Sequence, residues 1–157
     1  MNNKTRLSLL VLVVACAGCM QTPVGMMQFP DGMQQHAVHE KNMPWKPCPP
    51  GLPKGCAGIA ILEGHPKKAD LFTVRFKLKK GFLMPAHTHP KDERVTILSG
   101  KMSVAFGKDA KHEDAKQFGP GDYYVNSRDA IHVVWADEDS ILQITGIGPW
   151  KADFIKK

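Results

Sequence analysis

Residues 81–100 read GFLMPAHTHPKDERVTILSG, and this stretch decides the interpretation of the whole chain. Five of its residues follow the spacing G-x5-H-x-H-x3-E-x6-G: Gly81, His87, His89, Glu93 and Gly100. Side chains at positions i and i+2 of a β-strand project from the same face, so His87 and His89 can present two imidazoles to one point. The spacing therefore predicts half of a metal site.

The residues after the histidines predict a turn that returns a carboxylate to the same place. Pro90 ends the first strand, and residues 91–92 form the turn. Glu93 then opens a run of strand-forming residues, 94–98. Gly100 lies in a second turn signal, 99–101, which predicts a tight hairpin because glycine tolerates positive φ. The apolar pattern resumes at residues 102–106.

This spacing resembles the first conserved motif of the cupin superfamily. A cupin also carries a second motif, G-x5-P-x-G-x2-H-x3-N, and here Gly121 and His132 match it. Ser127 stands where proline is usual, Asp129 where glycine is usual, and Ala136 where asparagine is usual. These departures affect the turn and the residues that follow it more than they affect His132, the histidine of this motif. The resemblance covers residues 57–148.

The resemblance implies a cupin-type double-stranded β-helix, or jelly-roll barrel, that holds one divalent transition metal. The implied ligands are His87, His89, Glu93 and His132. Fe, Mn, Zn, Ni and Cu all suit such ligands, and the sequence does not choose among them. Residues 45–56 and the step 64–66 further resemble a subgroup of single-domain bacterial cupins.

Short strand patterns across the rest of the domain predict an all-β fold independently. Residues 71–79 alternate apolar and polar side chains, as expected of a strand with one buried face. Residues 108–116 are charged and predict a loop, in which His112 is a solvated residue. No stretch predicts a long amphipathic helix. The other predicted strands are 57–62, 123–126, 131–136 and 141–147. Many short strands separated by Gly and Pro turns indicate a sandwich or barrel.

The predicted site suggests two classes of function. Three imidazoles and one carboxylate leave coordination positions open on a divalent ion, which can then bind an oxygen donor or activate dioxygen. The leading hypothesis is a metal-dependent enzyme on a small oxygen-bearing substrate, with a dioxygenase ahead of a decarboxylase, isomerase or hydrolase. The second is a non-catalytic envelope protein that binds a small ligand or metal. Tyr123, Tyr124 and Glu63 are candidate pocket groups, but the sequence does not place them.

Composition limits the partners. A chain of 157 residues with 43% hydrophobic content fits one soluble domain. The formal net charge is +6, or +4 without Lys4 and Arg6, and no basic block accompanies it. A nucleic-acid partner is therefore not expected. The resemblance alone suggests a homodimer paired through sheet edges.

The first residues predict export to the cell envelope. Residues 1–15 combine a basic start with a short apolar run, as in a signal peptide, and the run is too short for a transmembrane helix. Residues 12–16, LVVAC, resemble a bacterial lipobox that would lipidate Cys16, with Cys19 as the alternative. An ordinary cleaved signal is the other interpretation. By resemblance to lipoprotein sorting rules, the absence of an acidic residue directly after Cys16 favours an outer-membrane lipoprotein facing the periplasm.

Residues 16–47 are rich in Met, Gln and Pro without apolar periodicity, which indicates a flexible tether. Thioethers and imidazoles are ligands that suit copper, so copper capture by this segment is a further hypothesis. The side chains concerned are Met20, Met26, Met27, Met33, Met43, His36 and His39.

Cys48 and Cys56 flank a Pro/Gly-rich loop at the start of the predicted cupin domain, residues 48–157, whose core is 57–148. In an oxidising compartment such a pair predicts a disulfide. A redox-active thiol pair is the alternative, but it lacks the C-x-x-C spacing.

Overall fold

The computed structural model describes residues 32–156. They form ten strands and two short 3-10 helices, Glu40–Asn42 and His112–Asp114. The strands are β1 (Cys56–Gly64), β2 (Leu71–Leu78), β3 (Leu83–Thr88), β4 (Glu93–Ser99), β5 (Met102–Phe106), β6 (Lys116–Phe118), β7 (Tyr123–Asn126), β8 (His132–Ala136), β9 (Ser140–Ile147) and β10 (Asp153–Phe154). The predicted all-β fold is confirmed.

The strands form two five-stranded sheets in which every pairing is antiparallel. Sheet A has the order β1-β2-β9-β4-β7, and sheet B has the order β10-β3-β8-β5-β6. The chain passes from one sheet to the other after β2, β3, β4, β6, β7, β8 and β9. This alternation is the winding of a double-stranded β-helix, so the predicted jelly-roll architecture is also confirmed.

Side chains from both sheets fill the space between them. In β2 the burial alternates as the sequence predicts, with Phe72, Val74, Phe76 and Leu78 all buried. Sheet B contributes a facing set that includes Met84, Met102, Val104 and Val134. The core therefore lies at the centre of the barrel, between the two sheets.

The predicted hairpin at Gly100 is wrong, although the turn itself is present. Gly100 has φ +78°, as a tight turn requires. However, β4 pairs with β7 and β9 of sheet A, whereas β5 pairs with β6 and β8 of sheet B. A turn signal marks where the chain changes direction and carries no information about the partner of the next strand. Gly100 therefore joins the two sheets.

A register shift in β3 determines which of its side chains face the core. The pairing with β8 is regular at Met84 and resumes at His87, with an irregularity between them. Both side chains are buried, although strict alternation would put residues three apart on opposite faces. The bulge allows Met84 to pack in the core while His87 points to the same interior.

The described part of the predicted tether lies on the barrel. Lys46 and Ile59 exchange two backbone hydrogen bonds of 2.8 and 2.9 Å, and the Lys77 ammonium lies 4.3 Å from the centre of the Trp45 ring. His36 Nε2 lies 2.8 Å from the Leu62 carbonyl oxygen. These contacts involve residues between 36 and 46, a part of the chain whose composition gives no strand or helix pattern.

Cys48 and Cys56 form the predicted disulfide, with their Cα atoms 6.0 Å apart. The predicted signal peptide, the lipobox cysteines Cys16 and Cys19, and three of the predicted copper ligands lie outside the described residues. The other four of these ligands are described, and copper capture stays a prediction. None of the helices within residues 32–156 has the length and apolar character needed to cross a membrane.

Candidate metal centre

Three elements bring the predicted ligands to one end of the barrel interior. His87 lies near the end of β3, and His89 follows directly after that strand. Glu93 begins β4 of the opposite sheet, and His132 begins β8, where it pairs directly with His87. All four side chains are buried, with at most 5% of the surface of any one residue exposed.

The three imidazoles lie close enough to share one ion, with the Glu93 carboxylate beside two of them. One ring nitrogen from each of His87, His89 and His132 lies within 4.8 Å of the other two. The Glu93 carboxylate lies alongside, with Oε1 3.3 Å from His89 Nε2 and Oε2 3.9 Å from His132 Nε2. This is the only such group of three His, Cys, Asp or Glu side chains among residues 32–156.

Backbone carbonyls fix how each imidazole is turned. The Nδ1 atom of His87 lies 2.7 Å from Pro85 O, that of His89 lies 2.7 Å from Lys151 O, and that of His132 lies 2.9 Å from Ala130 O. A carbonyl oxygen can only accept, so each Nδ1 carries the hydrogen and donates it. The neutral tautomer then leaves the Nε2 lone pair available to a metal.

The Nε2 atoms fit a metal better than they fit a metal-free interior. Those of His89 and His132 are fully buried, and no hydrogen-bond partner for either lies among the described residues. Even the 3.3 Å approach of Glu93 to His89 lacks hydrogen-bond geometry. Buried polar atoms are normally satisfied, so two convergent lone pairs beside a carboxylate indicate a ligand set.

The charges of the site also suit a cation. Burial lowers the pKa of His87 to about 4, with a further contribution from His132, and burial likewise lowers the pKa of His132. Burial alone would raise the pKa of Glu93, but His89, Asn126 and His132 outweigh it and lower that pKa to about 2. Burial opposes protonation of His89, yet the Glu93 carboxylate raises the pKa of this histidine. At neutral pH the site therefore offers an ionised carboxylate and at least two neutral imidazoles.

Asn126 orients Glu93 and was not among the predicted site residues. The two residues are paired between β4 and β7, and Asn126 Nδ2 donates to Glu93 Oε2 over 2.9 Å. Asn126 is itself only 1% exposed. The available signal was a polar residue at the end of an apolar strand, which sequence reasoning alone does not distinguish from a surface position.

The loop that delivers His132 is tied to the first motif despite its unusual sequence. Arg128 donates to the Asp92 carboxylate from its backbone and its guanidinium, over 3.0 to 3.3 Å. The backbone N–H of Asp129 donates to His89 O over 2.9 Å. Asp129 has φ +61°, so it adopts the left-handed conformation expected of the glycine it replaces. The departures from the cupin pattern therefore leave His132 in place.

A segment beyond the predicted core completes the site. Residues 150–155 run along β3, where Asp153 pairs with Thr88 and Phe154 with His87. Within this segment Lys151 supplies the carbonyl that accepts from His89, and the Trp150 ring stacks on the His89 ring with centroids 5.1 Å apart. Sequence reasoning ended the core at residue 148 and missed both contributions. The only signal was a tryptophan directly after a Gly-Pro step.

The candidate ligands open onto a pocket within the barrel. Its empty space is about 500 Å³ with the open mouth included, and His87, His89 and Glu93 lie in its wall. Tyr124 also lines it, whereas Tyr123 is exposed and Glu63 accepts a long hydrogen bond from Thr73 outside it. Most of the remaining wall is apolar and comes from both sheets.

Two other histidines, His65 and His112, do not line this pocket. His65 is exposed, and its Nδ1 accepts from the Lys67 backbone over 3.2 Å. His112 is half exposed but not merely solvated, because its Nε2 lies 2.7 Å from Asp137 Oδ1.

A family model described as the ChrR cupin-like domain matches residues 33–151, which is most of the chain. The chain belongs to this family. The match begins at residue 33, so this ChrR cupin-like domain includes the segment that contacts β1 as well as the strands that hold the candidate ligands. No curated protein is significantly similar in sequence to it.

Solved structures share the fold of this ChrR cupin-like domain at low sequence identity. An acetylacetone dioxygenase from Acinetobacter johnsonii is 20% identical, with a TM-score of 0.59 over 85% of each chain. A putative acetylacetone dioxygenase from Methylibium petroleiphilum PM1 is 23% identical, with a TM-score of 0.60 over 82% of this chain and 86% of that one. The polyketide cyclase RemF from Streptomyces resistomycificus is 16% identical, with a TM-score of 0.61 over 78% and 87%. These likenesses establish the fold.

Proposed function

We propose that His87, His89, Glu93 and His132 bind one divalent transition metal ion. The observation that carries this proposal is the convergence of buried Nε2 atoms whose Nδ1 hydrogens are all engaged by carbonyls. The Glu93 carboxylate would offset part of the charge of the ion. When bound, such an ion supplies a Lewis acid with coordination positions open to an oxygen donor or to dioxygen.

We further propose that the protein is a dioxygenase-like enzyme acting on a small oxygen-bearing substrate. Two considerations support an oxidative reaction ahead of decarboxylation or isomerisation. Apart from the candidate ligands, the described pocket wall has no carboxylate, lysine or arginine to act as acid or base. Two of the fold neighbours bear the name acetylacetone dioxygenase.

The residues around the candidate metal centre would orient the ligands and the bound molecule, and would not exchange protons with it. Asn126 and the three carbonyls hold the ligands in one orientation. Burial raises the pKa of Tyr124, so its hydroxyl stays protonated and keeps a hydrogen that it can donate to a bound molecule. The low pKa of Glu93 keeps this carboxylate ionised, which makes it a ligand and not a proton donor.

The same lack of acid and base groups favours a second candidate, a non-catalytic protein that binds a small ligand or metal. Oxygen consumption by the metal-loaded protein with a panel of small oxygen-bearing metabolites separates the two. Consumption that disappears in His87→Ala supports the enzyme. A metal-loaded protein that binds panel members without consuming oxygen supports the second candidate.

We propose that the protein acts in the cell envelope as a periplasm-facing lipoprotein, with the outer membrane favoured. The sequence of residues 1–16 and the Cys48–Cys56 disulfide support this location, since disulfides persist in oxidising compartments. Metal analysis of protein purified from its own envelope would identify the ion bound there.

The metal proposal is tested by measuring metal per chain in single alanine variants. His87→Ala, His89→Ala, Glu93→Ala and His132→Ala should each lose most of the metal, because each removes a ligand and leaves its neighbours buried without a partner. His65→Ala and His112→Ala are the controls and should stay loaded. Circular dichroism checks that the β-fold survives. Full occupancy in His132→Ala, with loss in His87→Ala and His89→Ala, would rule out the four-residue set.

A further inference from the structure

The pocket beside the candidate metal centre has a strongly uneven distribution of polar groups. Apart from the three candidate ligands in its wall, only Tyr124 and Trp150 contribute side-chain nitrogen or oxygen atoms. The wall contains no lysine or arginine among the described residues, and Glu93 is its only carboxylate. A second charged group on a ligand would therefore lie against apolar side chains, at the cost of its hydration.

Trp150 carries a hydrogen-bond donor that the protein itself does not use. The Nε1 atom is fully buried, and no acceptor for it lies among residues 32–156. Its ring lines the pocket and stacks on His89, with an angle of 18° between the two planes. A buried indole N–H normally finds a partner, so the unpartnered donor of a residue that lines a pocket points to an acceptor on a bound molecule.

The position of this donor is fixed by the surrounding chain. The Trp150 backbone N–H donates to Pro66 O over 2.6 Å, and the Gly148 N–H donates to Asp70 O over 2.8 Å. On its other sides the ring lies 6.0 Å from the Phe72 ring and 6.3 Å from the Phe76 ring, centre to centre. The indole is thus held between the core and an imidazole, which is an arrangement suited to orienting a ligand.

We infer that Trp150 is a substrate-positioning residue whose Nε1–H donates to an oxygen of the bound molecule. The substrate is then a small compound that carries its oxygen atoms along one edge, is apolar elsewhere and has no second charged group. This inference rests on the proposed function, since the oxygen-bearing edge would face the metal. It separates such compounds from dicarboxylates, sugar acids and phosphate esters.

The test compares two probes that place oxygen atoms across the same three-carbon unit. Acetylacetone has apolar ends, whereas malonate is a dianion. Zinc-loaded protein is used because zinc has no redox chemistry, so binding is measured without turnover. By isothermal titration calorimetry, acetylacetone should bind at least about tenfold more tightly than malonate, since burial of the second charge disfavours malonate. Equal or tighter binding of malonate would overturn the inferred substrate class.

Trp150→Phe removes the N–H and keeps an aromatic ring. It should weaken acetylacetone binding by about fivefold, the usual net value of one hydrogen bond. Imidazole can bind the zinc but has no oxygen to accept from Trp150, so its affinity should change by less than about twofold. Trp135→Phe is the matched control. Trp135 lies against His112 on the other side of sheet B and does not line the pocket, so neither probe should be affected.

Two results would contradict the role of Trp150, and two more would locate the failure. Unchanged acetylacetone binding in Trp150→Phe overturns the hydrogen bond. Equal weakening of acetylacetone and imidazole shows that Trp150 only supports the site structurally, which also overturns it. Zinc-loaded protein that binds neither acetylacetone nor malonate overturns this inference alone. Failure of the protein to load zinc overturns the proposed function on which the inference rests. Should Trp150→Phe not fold, the comparison of acetylacetone with malonate on the unmodified protein still decides the substrate class.

Discussion

Asp129 adopts a backbone conformation that most residues avoid, and it does so in the loop that delivers His132. At φ +61° glycine has no steric cost, and Asp is tolerated better than most residues. Asp129→Ala should lower the free energy of unfolding of the metal-free protein by about 1 kcal/mol, and Asp129→Gly should leave it nearly unchanged. Chemical denaturation measures both, with the exposed Asp109→Ala as a control. Equal losses in the Ala and Gly variants would show that the Asp129 side chain matters more than its backbone.

Glu93 should make the stability of the metal-free protein depend on pH. Its pKa is about 2 in the folded protein against an ordinary value of 4.5, so its contribution is present above pH 4.5 and is lost as the pH falls toward 2. The lowered pKa of His87 acts in the same direction between pH 6.5 and 4, because there the unfolded chain binds a proton that the folded protein does not. His89 acts oppositely, because its raised pKa gives a contribution that is lost as the pH rises above 6.5.

The metal-free protein should therefore be most stable against thermal unfolding near pH 6.5. In Glu93→Gln the rise in stability between pH 2 and 4.5 should be smaller by about 3 kcal/mol, the value that follows from the two pKa values of Glu93. The decline above pH 6.5 should also disappear, because His89 loses its partner. His112→Ala, which removes a histidine that does not line the pocket, should keep both the rise and the decline. A Glu93→Gln profile that matches the unmodified protein would show that folding does not lower the pKa of Glu93.

At the scale of elements, the segment at residues 150–155 is as much a part of the site as the strands. Removing residues 149–157 removes the Lys151 carbonyl, which accepts a hydrogen bond from His89, and the Trp150 ring, which stacks on the His89 ring. Metal per chain should fall by at least about tenfold, the range expected when an orienting partner is lost. Removing only residues 156–157 is the matched control and should leave the metal bound. Retention of metal by the longer truncation would show that β3 alone fixes His89.

The disulfide loop is a second element with a measurable role. Leu52 and Cys56 from this loop line the pocket, so the cross-link holds part of the pocket wall. The double variant Cys48→Ser, Cys56→Ser should lose somewhat under about 3 kcal/mol of unfolding free energy, the chain-entropy estimate for a loop of this size. Metal per chain should persist, since no candidate ligand lies in the loop. Reductant should lower the stability of the unmodified protein and leave the variant unaffected, and a variant as stable as the oxidised protein would contradict the prediction.

These elements also show what the sequence could and could not predict. The strands and three candidate ligands were accessible, because alternation and the spacing of His87, His89 and Glu93 directly encode side-chain direction. The fourth, His132, came only from the resemblance to the second cupin motif. The β3 bulge was not, since a register shift depends on the neighbouring strand. Asn126 and the Lys151 carbonyl were missed for a related reason. Their roles come from contacts between distant strands, and a backbone carbonyl has no residue identity to recognise.

At the scale of the whole molecule, the proposed lipid anchor can be tested directly. Cys16→Ser should leave an unprocessed precursor that no longer partitions into detergent, because the lipidated cysteine would be missing. Expression in a bacterium that processes lipoproteins, followed by detergent partition and intact mass, measures this. Cys19→Ser is the matched control and should be processed normally. Normal processing and membrane association of Cys16→Ser would assign the anchor to Cys19 or indicate an ordinary cleaved signal.

The hydrogen bond from His89 to the carbonyl of Lys151 spans 62 positions of the chain. During translation, the first two histidines therefore leave the ribosome long before the residues that orient them have been made. His132 and the strand that carries it also follow later. A newly made chain has no complete set of oriented ligands until residue 151 has been added and the sheets have closed. Metal capture at the proposed site would therefore be a late event in the life of each molecule, because it requires the closed barrel.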